Sequence, residues 1–390
     1  MLNEQLFLKS AVSIHKTTLY EKVFCVANLL MLAYFIIRPL LENATLILGI
    51  WVSATLLLFL FSIRQKLNLI EWFFLLVPCA ILTFSLLTQE HALTKEHLIS
   101  TFLYLNFLLN VMICVKITPT KFTFNTIFYI FIATALLFSW YTFTPVAHRW
   151  TVEGMAWSNL YYVFNLDNSN FAGMCLFTIF CVLLINLPYR KFKIPILLLL
   201  AYTLYMIYGT NCRSALFSAI AVFVGSFFFT KKSIPSFILN ACTLVPIVML
   251  IAYLYMYYQI GYDDFMLFNK NFFSGRQNVF VEFLRPIQTP IHVLFGNFAQ
   301  NGLHNAHNAP LAIFSSLGIV GLTSFYALFI YEMTVYQKKE KTSIRQLALF
   351  SILGVFLISS AEASFFLGGF PGIVLVIDII LLGNYTAPMQ

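Results

Sequence analysis

The chain alternates long apolar runs with short polar joints from about residue 22 almost to its end. A helix that crosses the hydrocarbon core of a bilayer needs roughly 20 consecutive, mostly apolar residues. Twelve stretches meet that length to within a few residues: 22–40, 44–63, 69–88, 98–117, 123–144, 168–187, 194–210, 213–230, 235–258, 309–335, 346–361 and 363–384. The last two are parted only by the segment from Ser359 to Ser364, a tight turn or a kink in one broken segment, so the expected number is 11–12. The runs are continuous and lack period-2 alternation, which predicts helices and not barrel strands. The residues before the first run are polar, and no small-residue cleavage site follows it, so 22–40 reads as a retained span. The pattern predicts an all-α, polytopic membrane helical bundle, with 1–390 as a single integral membrane domain. Two outer loops are long, 145–167 and 259–308, and loops of that length without structure of their own are uncommon unless functional.

Composition supports the pattern. Apolar residues make up 60% of the chain and charged residues 10%, too little charge to cover a soluble surface. The abundance of apolar and aromatic residues also excludes a disordered chain. The formal net charge of +8 would suggest nucleic acid as the partner of a soluble protein, but here its distribution decides. With the N-terminus placed inside, 16 of the 23 basic residues fall in inside loops, among them Arg64, Lys66, Lys116, Lys121, Arg190, Lys231, Lys338, Lys339 and Arg345. The outside set is Arg38, Lys95, Arg149, Arg213, Lys270, Arg276 and Arg285. Counting acidic residues too, the inside loops carry +10 and the outside loops −2. The positive charge is therefore a topology signal with both termini cytoplasmic, and no nucleic-acid surface is expected. The seven cysteines are scattered and form no CxxC spacing, so they read as small hydrophobes in helix packing.

Candidate chemistry gathers on the outer side. Arg213 stands at the outer mouth of its span in Cys212-Arg213-Ser214-Ala215, Arg276 in Ser274-Gly275-Arg276, and Arg285 nine residues later. Gly302-Leu303-His304-Asn305-Ala306-His307-Asn308 then precedes the span at 309–335. Guanidinium forks grip planar anionic oxygens at two points, and histidine can take a proton from a hydroxyl near neutral pH. Each residue also has a plainer reading. Arg213 can snorkel to headgroups, Arg276 can pair with Asp263, Asp264 or Glu282, and Asn308 can cap a helix that has Pro310 in its first turn. Asp263-Asp264 is most simply a solvated pair, and no metal site is expected. Glu332 and Asp378 read as snorkelling at the inner interface, while Glu362 is the acidic residue of the last hairpin able to reach the outer site.

Order and spacing add a resemblance. His307-Asn308-Ala309-Pro310-Leu311, with Gly318 and Gly321 beyond, resembles the His-Asn-x-x-Leu pattern of the O-antigen ligase and O-antigen or capsule polymerase superfamily of membrane glycosyltransferases. Cys212-Arg213-Ser214-Ala215 is similar to that family's Arg-Ser/Thr-Ala at an outer helix end. Ser274-Gly275-Arg276-Gln277, followed by Leu294-Phe295-Gly296, resembles the Gly-Arg of its large outer loop. Leu166-Asp167-Asn168-Ser169-Asn170-Phe171-Ala172 is similar to the polar opening of one of its middle spans. These motifs cover about 165–330. The chain departs from the pattern in having no tryptophan or large aromatic run directly after Ser-Gly-Arg, a place that Phe280 can fill. Of the two His-Asn pairs, His307 has the leucine and glycines at the expected offsets, which leaves His304 as a nearby orienting residue.

The resemblance implies a GT-C-like helical bundle with a large extracytoplasmic loop, in a bacterial inner membrane. It implies metal-independent, inverting transfer of an oligosaccharide from undecaprenyl pyrophosphate to an acceptor hydroxyl, with no cofactor. His307, Arg276 and Arg213 would be catalytic, and Arg213, Arg276, Asn308, His304 and Arg285 would bind substrate. The implied partners are the lipid-linked oligosaccharide, an acceptor glycan or glycolipid, membrane lipid and a chain-length regulator protein. Polymerase is the reading, tilted that way by Ser-Gly-Arg and Leu-Phe-Gly. Ligation of the finished glycan to a lipid A core, giving lipopolysaccharide, or transfer of the glycan to a protein, shares the site. Of another class, a transporter of lipid-linked sugar or a small anion should show internal repeats and polar breaks near mid-membrane, and no convincing repeat is visible.

Overall fold

The computed structural model describes residues 19–37, 44–88, 94–144, 149–150, 161–162, 164, 166, 169–229, 234–260, 266–267, 270–271, 276–303, 306–339, 342–363, 366 and 376–385. The first eleven apolar segments coincide with helices. These are α1 Leu19–Ile37, α2 Ala44–Ile63, α3 Leu69–Thr88, α4 Lys95–Cys114 and α5 Lys121–Tyr141. Then follow α6 Ser169–Asn186, α7 Lys193–Gly209, α8 Arg213–Phe229 and α9 Ser236–Ile260. Three short helices come next, α10 Arg276–Leu284, α11 Pro290–Phe295 and α12 Phe298–Asn301, before α13 Ala309–Lys338 and α14 Ser343–Ser359. The final segment contributes α15 Ile377–Gly383, while 367–375 lie outside the described residues. Within the two long loops, two-residue antiparallel pairings join Arg149–Trp150 to Tyr161–Tyr162 and Met266–Leu267 to Lys270–Asn271.

Among the described residues, six helices are long and apolar enough to cross a membrane, and four shorter helices are also apolar. The protein is an all-α, multi-pass membrane bundle. Its burial pattern shows why the sequence is apolar on every side of so many helices. The α6 segment is 89% buried and packs against α5, α7, α8, α14 and α15. By contrast α2 and α9 are only 28% and 22% buried. Leu46, Leu48, Val52, Leu56 and Leu60 of α2 are exposed, as are Leu244, Val248, Ile251 and Tyr255 of α9. A contiguous apolar exterior of this extent fits a lipid solvent and not water. All seven cysteines are free and buried or half-buried, as small packing residues should be.

Two groups of polar contacts mark the two ends of the bundle. At one end Lys116 pairs with Glu71, Asn68 Nδ2 donates to Tyr331 Oη at 3.1 Å, and Lys339 Nζ donates to Asn384 Oδ1 at 3.3 Å. Asn384 Nδ2 donates in turn to the Cys114 carbonyl at 2.7 Å, which ties the C-terminal end to α4. These residues lie in, or within a turn or so of, joints expected on the inside. At the other end Asn170, Arg276, His307 and Glu362 meet, from joints and a span opening expected on the outside.

The snorkelling expected of Glu332 and Asp378 is not found. Glu332 is 1% exposed and Asp378 0%, so neither side chain extends to the surface of the bundle. Asp378 accepts a hydrogen bond from Asn28 of α1, and the pair joins the first and last helices in the protein interior. Apolar runs locate a span, but they do not reveal which of its faces meets protein.

Candidate functional site

Three residues singled out in the sequence stand at helix N-termini, and packing explains how each is placed. Arg213 is the first residue of α8. The turn before it holds Asn211 at φ 54°, a left-handed conformation that asparagine tolerates better than most residues. That turn lies against Gly173 of α6, where an added Cβ would come within 2.4 Å of Cys212 Cβ. Burial, followed by the nearby Glu362, pushes the Cys212 thiol above its ordinary range. Arg276 is the first residue of α10, which is held by Phe280 packed edge-on against Tyr253 at 6.2 Å. The Phe280 ring is buried.

His307 precedes α13, and its φ of 55° puts a non-glycine residue in the left-handed region. Such strain costs of order 1–3 kcal/mol and persists only where neighbours over-determine it. Asn308 supplies that constraint. Its Oδ1 accepts from Leu311 N at 2.9 Å, the N-cap expected from the sequence, and its Nδ2 donates to the Ser360 carbonyl at 3.0 Å. The second bond fastens the residue beside His307 to the turn that carries Glu362.

Glu362 is the centre of the cluster. Its side chain is only 2% exposed, and a carboxylate so buried needs partners. Arg276 Nη2 lies 3.3 Å from Oε1, and His307 Nδ1 lies 3.1 Å from Oε2. Asn170 Nδ2, from the first turn of α6, donates to Oε1 at 2.8 Å. The alternative partner Glu282 is not the one used by Arg276, and Asp263 and Asp264 lie outside the described residues. Four helix N-termini (α6, α8, α10 and α13) therefore face one small region, and their dipoles add positive potential to that of the two guanidinium groups.

Beside the cluster a cavity of about 410 Å³ opens between α8, α9 and α14. Arg213 and Arg276 both line it, together with Phe217, Ala221, Val245, Met249, Tyr253 and Leu357. Phe217 lines this space and is 61% exposed, so the cavity opens on the apolar exterior of the bundle. An amphiphile with an anionic head and an apolar tail matches this combination.

The outer loop is anchored by a break in α13. Gly318 adopts φ 67° and ψ −170°, which interrupts the helix. The Ser315 carbonyl accepts instead from Asn297 N at 2.9 Å and from Asn301 Nδ2 at 3.0 Å. The Leu294-Phe295-Gly296 motif and the downstream Gly318 thus form one docking contact.

Not every residue expected at the site is brought to it. Arg285 is exposed in the turn after α10 and is not among the residues lining the cavity. His304 lies outside the described residues. Asn170 was visible only as part of a polar motif at a span opening, and nothing in its spacing marked it as the partner of a residue 192 positions away. No protein-family model, curated protein or solved structure matches the chain.

Proposed function

We propose that the protein is a polysaccharide polymerase of a bacterial inner membrane, with about twelve spans, a GT-C-like bundle and both termini cytoplasmic. The grouping of inside-loop residues at one end and outside-loop residues at the other supports this topology. In this reading it transfers an oligosaccharide from undecaprenyl pyrophosphate to a sugar hydroxyl at the outer face. The observation that carries the reading is the apolar cavity headed by Arg213 and Arg276 beside His307.

The chemistry follows from that arrangement. The polyprenyl chain lies along Phe217, Ala221, Val245 and Met249, and its pyrophosphate meets the two arginines. His307 takes the proton of the acceptor hydroxyl as that oxygen attacks the anomeric carbon. The bond from that carbon to the pyrophosphate oxygen breaks, and the configuration inverts. Charge growing on undecaprenyl pyrophosphate is met by Arg213, Arg276 and the helix N-termini, in a site partly withdrawn from water. The guanidinium groups supply the countercharge, so the reaction as proposed needs no metal ion. Lipid A core or protein acceptors would use the same machinery with a different nucleophile.

The break at Gly318 is a feature that would favour a transporter, because carriers use interrupted helices. Here the Leu294–Phe295 backbone packs directly against the break, so it serves as a docking point for the loop. The test is complementation of a strain lacking the gene with Arg213→Ala, Arg276→Ala and His307→Ala, each checked for expression in the membrane. Single-unit glycans in all three are expected. Normal glycan length and yield in all three would defeat the catalytic reading.

A further inference from the structure

We infer that Glu362, held by Asn170, is a positioning residue that fixes the tautomer of His307, so that the ring carries its proton on Nδ1 and presents Nε2 as the base. The inference rests on the reading of His307 as the proton acceptor, but its physical core is independent of the substrate.

An ionised carboxylate can only accept hydrogen bonds. Glu362 is contacted by two groups that can only donate through the atoms involved, the guanidinium of Arg276 and the amide nitrogen of Asn170. Both favour its ionised form. His307 Nδ1 lies 3.1 Å from Oε2 and 3.3 Å from Oε1. A ring nitrogen facing an acceptor-only group at that distance has to be the one bearing hydrogen. The neutral imidazole has a single N–H, so its lone pair is then on Nε2.

The left-handed backbone at His307 and the bond from Asn308 to Ser360 fix where the ring starts, and Glu362 fixes how it is turned. When Nε2 accepts the hydroxyl proton, the resulting imidazolium already sits against a buried negative charge. Asn170 matters because Arg276 also faces the cavity. A guanidinium drawn toward a bound anion would loosen its hold on Oε1, and the amide keeps the carboxylate in place. The same logic of a base oriented by a buried carboxylate operates in other enzymes that use histidine.

The experiment is nitrogen NMR on the full-length protein, labelled with ¹⁵N at histidine and reconstituted in lipid bilayers at pH 8.5. The His307 signals are assigned by difference from His307→Ala. A protonated Nδ1 with an unprotonated Nε2 is expected in the parent, and any other pattern overturns the inference. In Glu362→Ala the ring should shift to the form protonated on Nε2. If that variant does not fold, the parent spectrum still decides.

Kinetics provide the second arm. Glu362→Ala should lower kcat about 100-fold and Asn170→Ala about tenfold, each with KM for the lipid-linked donor unchanged. Glu362→Asp should restore part of the loss. Parent-like kcat in both alanine variants overturns the positioning role. If the parent catalyses no glycosyl transfer at all, the proposed function fails while the spectra still test the tautomer.

Discussion

Gly296 and Gly318, 22 positions apart in sequence, allow the outer loop and the long helix α13 to touch backbone to backbone. A Cβ on Gly318 would lie 2.2 Å from the Leu294 carbonyl oxygen, and one on Gly296 would lie 2.3 Å from the Ser316 carbonyl. Both residues also adopt positive φ, 76° and 67°. Space and conformation thus impose the same demand at both positions.

Gly318→Ala is therefore expected to destabilise the protein by about 2–4 kcal/mol, combining a left-handed backbone penalty with overpacking. The loop carrying Arg276 should loosen with it, since α11 and α12 are held to α13 through this contact. Thermal unfolding in detergent, followed together with protease sensitivity of the loop, reads both effects. Parent-like values in each would mean that the close approach is not needed.

The cavity makes a separate prediction. Ala221 faces it from α8, and a tryptophan there would occupy the space assigned to the lipid chain without disturbing Arg213 or His307. Ala221→Trp should lower kcat/KM for a long-chain donor by about tenfold or more, roughly 1.4 kcal/mol of lost transition-state binding. A donor with a truncated prenyl chain should be affected much less. Equal losses for both donors would place the lipid elsewhere.

The long apolar helices were legible because crossing a membrane imposes a length and an apolar content that a sequence must display. The ends of α2 and α3 agree with the sequence reading, and those of α6, α7 and α8 agree to within a residue. Arg213, Arg276 and His307 were legible as polar residues in apolar surroundings with recognisable neighbours. Asn170 and the central place of Glu362 were not, because a partnership across 192 positions leaves no local pattern. The cavity was hidden for another reason. Its apolar walls look the same in sequence as lipid-facing or core positions. The burial of Glu332 and Asp378 was missed similarly, since a charge near a helix end reads as interfacial until the neighbouring helices are known.

Asp378 lies in the interior against Asn28, and this contact between α1 and α15 can be tested by removing one partner at a time. Asn28→Ala leaves a buried carboxyl without its donor and should cost about 1–2 kcal/mol. Asp378→Leu in the Asn28→Ala background should recover part of that loss, because an apolar pair leaves nothing unsatisfied. Unfolding by SDS titration in mixed micelles measures both. No recovery on adding Asp378→Leu would show that the lost contact is not the source of the Asn28→Ala effect.

Lys339, just beyond the end of α13, gives the pH dependence. Burial, with Arg345 adding to it and Glu332 opposing, holds its ammonium down to about 8. The unfolded chain has an ordinary lysine near about 10.4. Between these values the unfolded state binds more protons than the folded one, so stability must rise with pH across that window. Below about pH 8 both states are charged, and the cost of the buried ammonium is fully present. Lys339→Met removes the titration and, with it, the Nζ bonds to the Val115 carbonyl and to Asn384 Oδ1. Parent and variant should therefore differ by an amount that changes with pH, the parent gaining on the variant between pH 8 and pH 10. Thermal midpoints of both proteins in detergent across pH 7 to 10 measure the difference. A constant offset over the whole range would show that Lys339 titrates as it does in the unfolded chain.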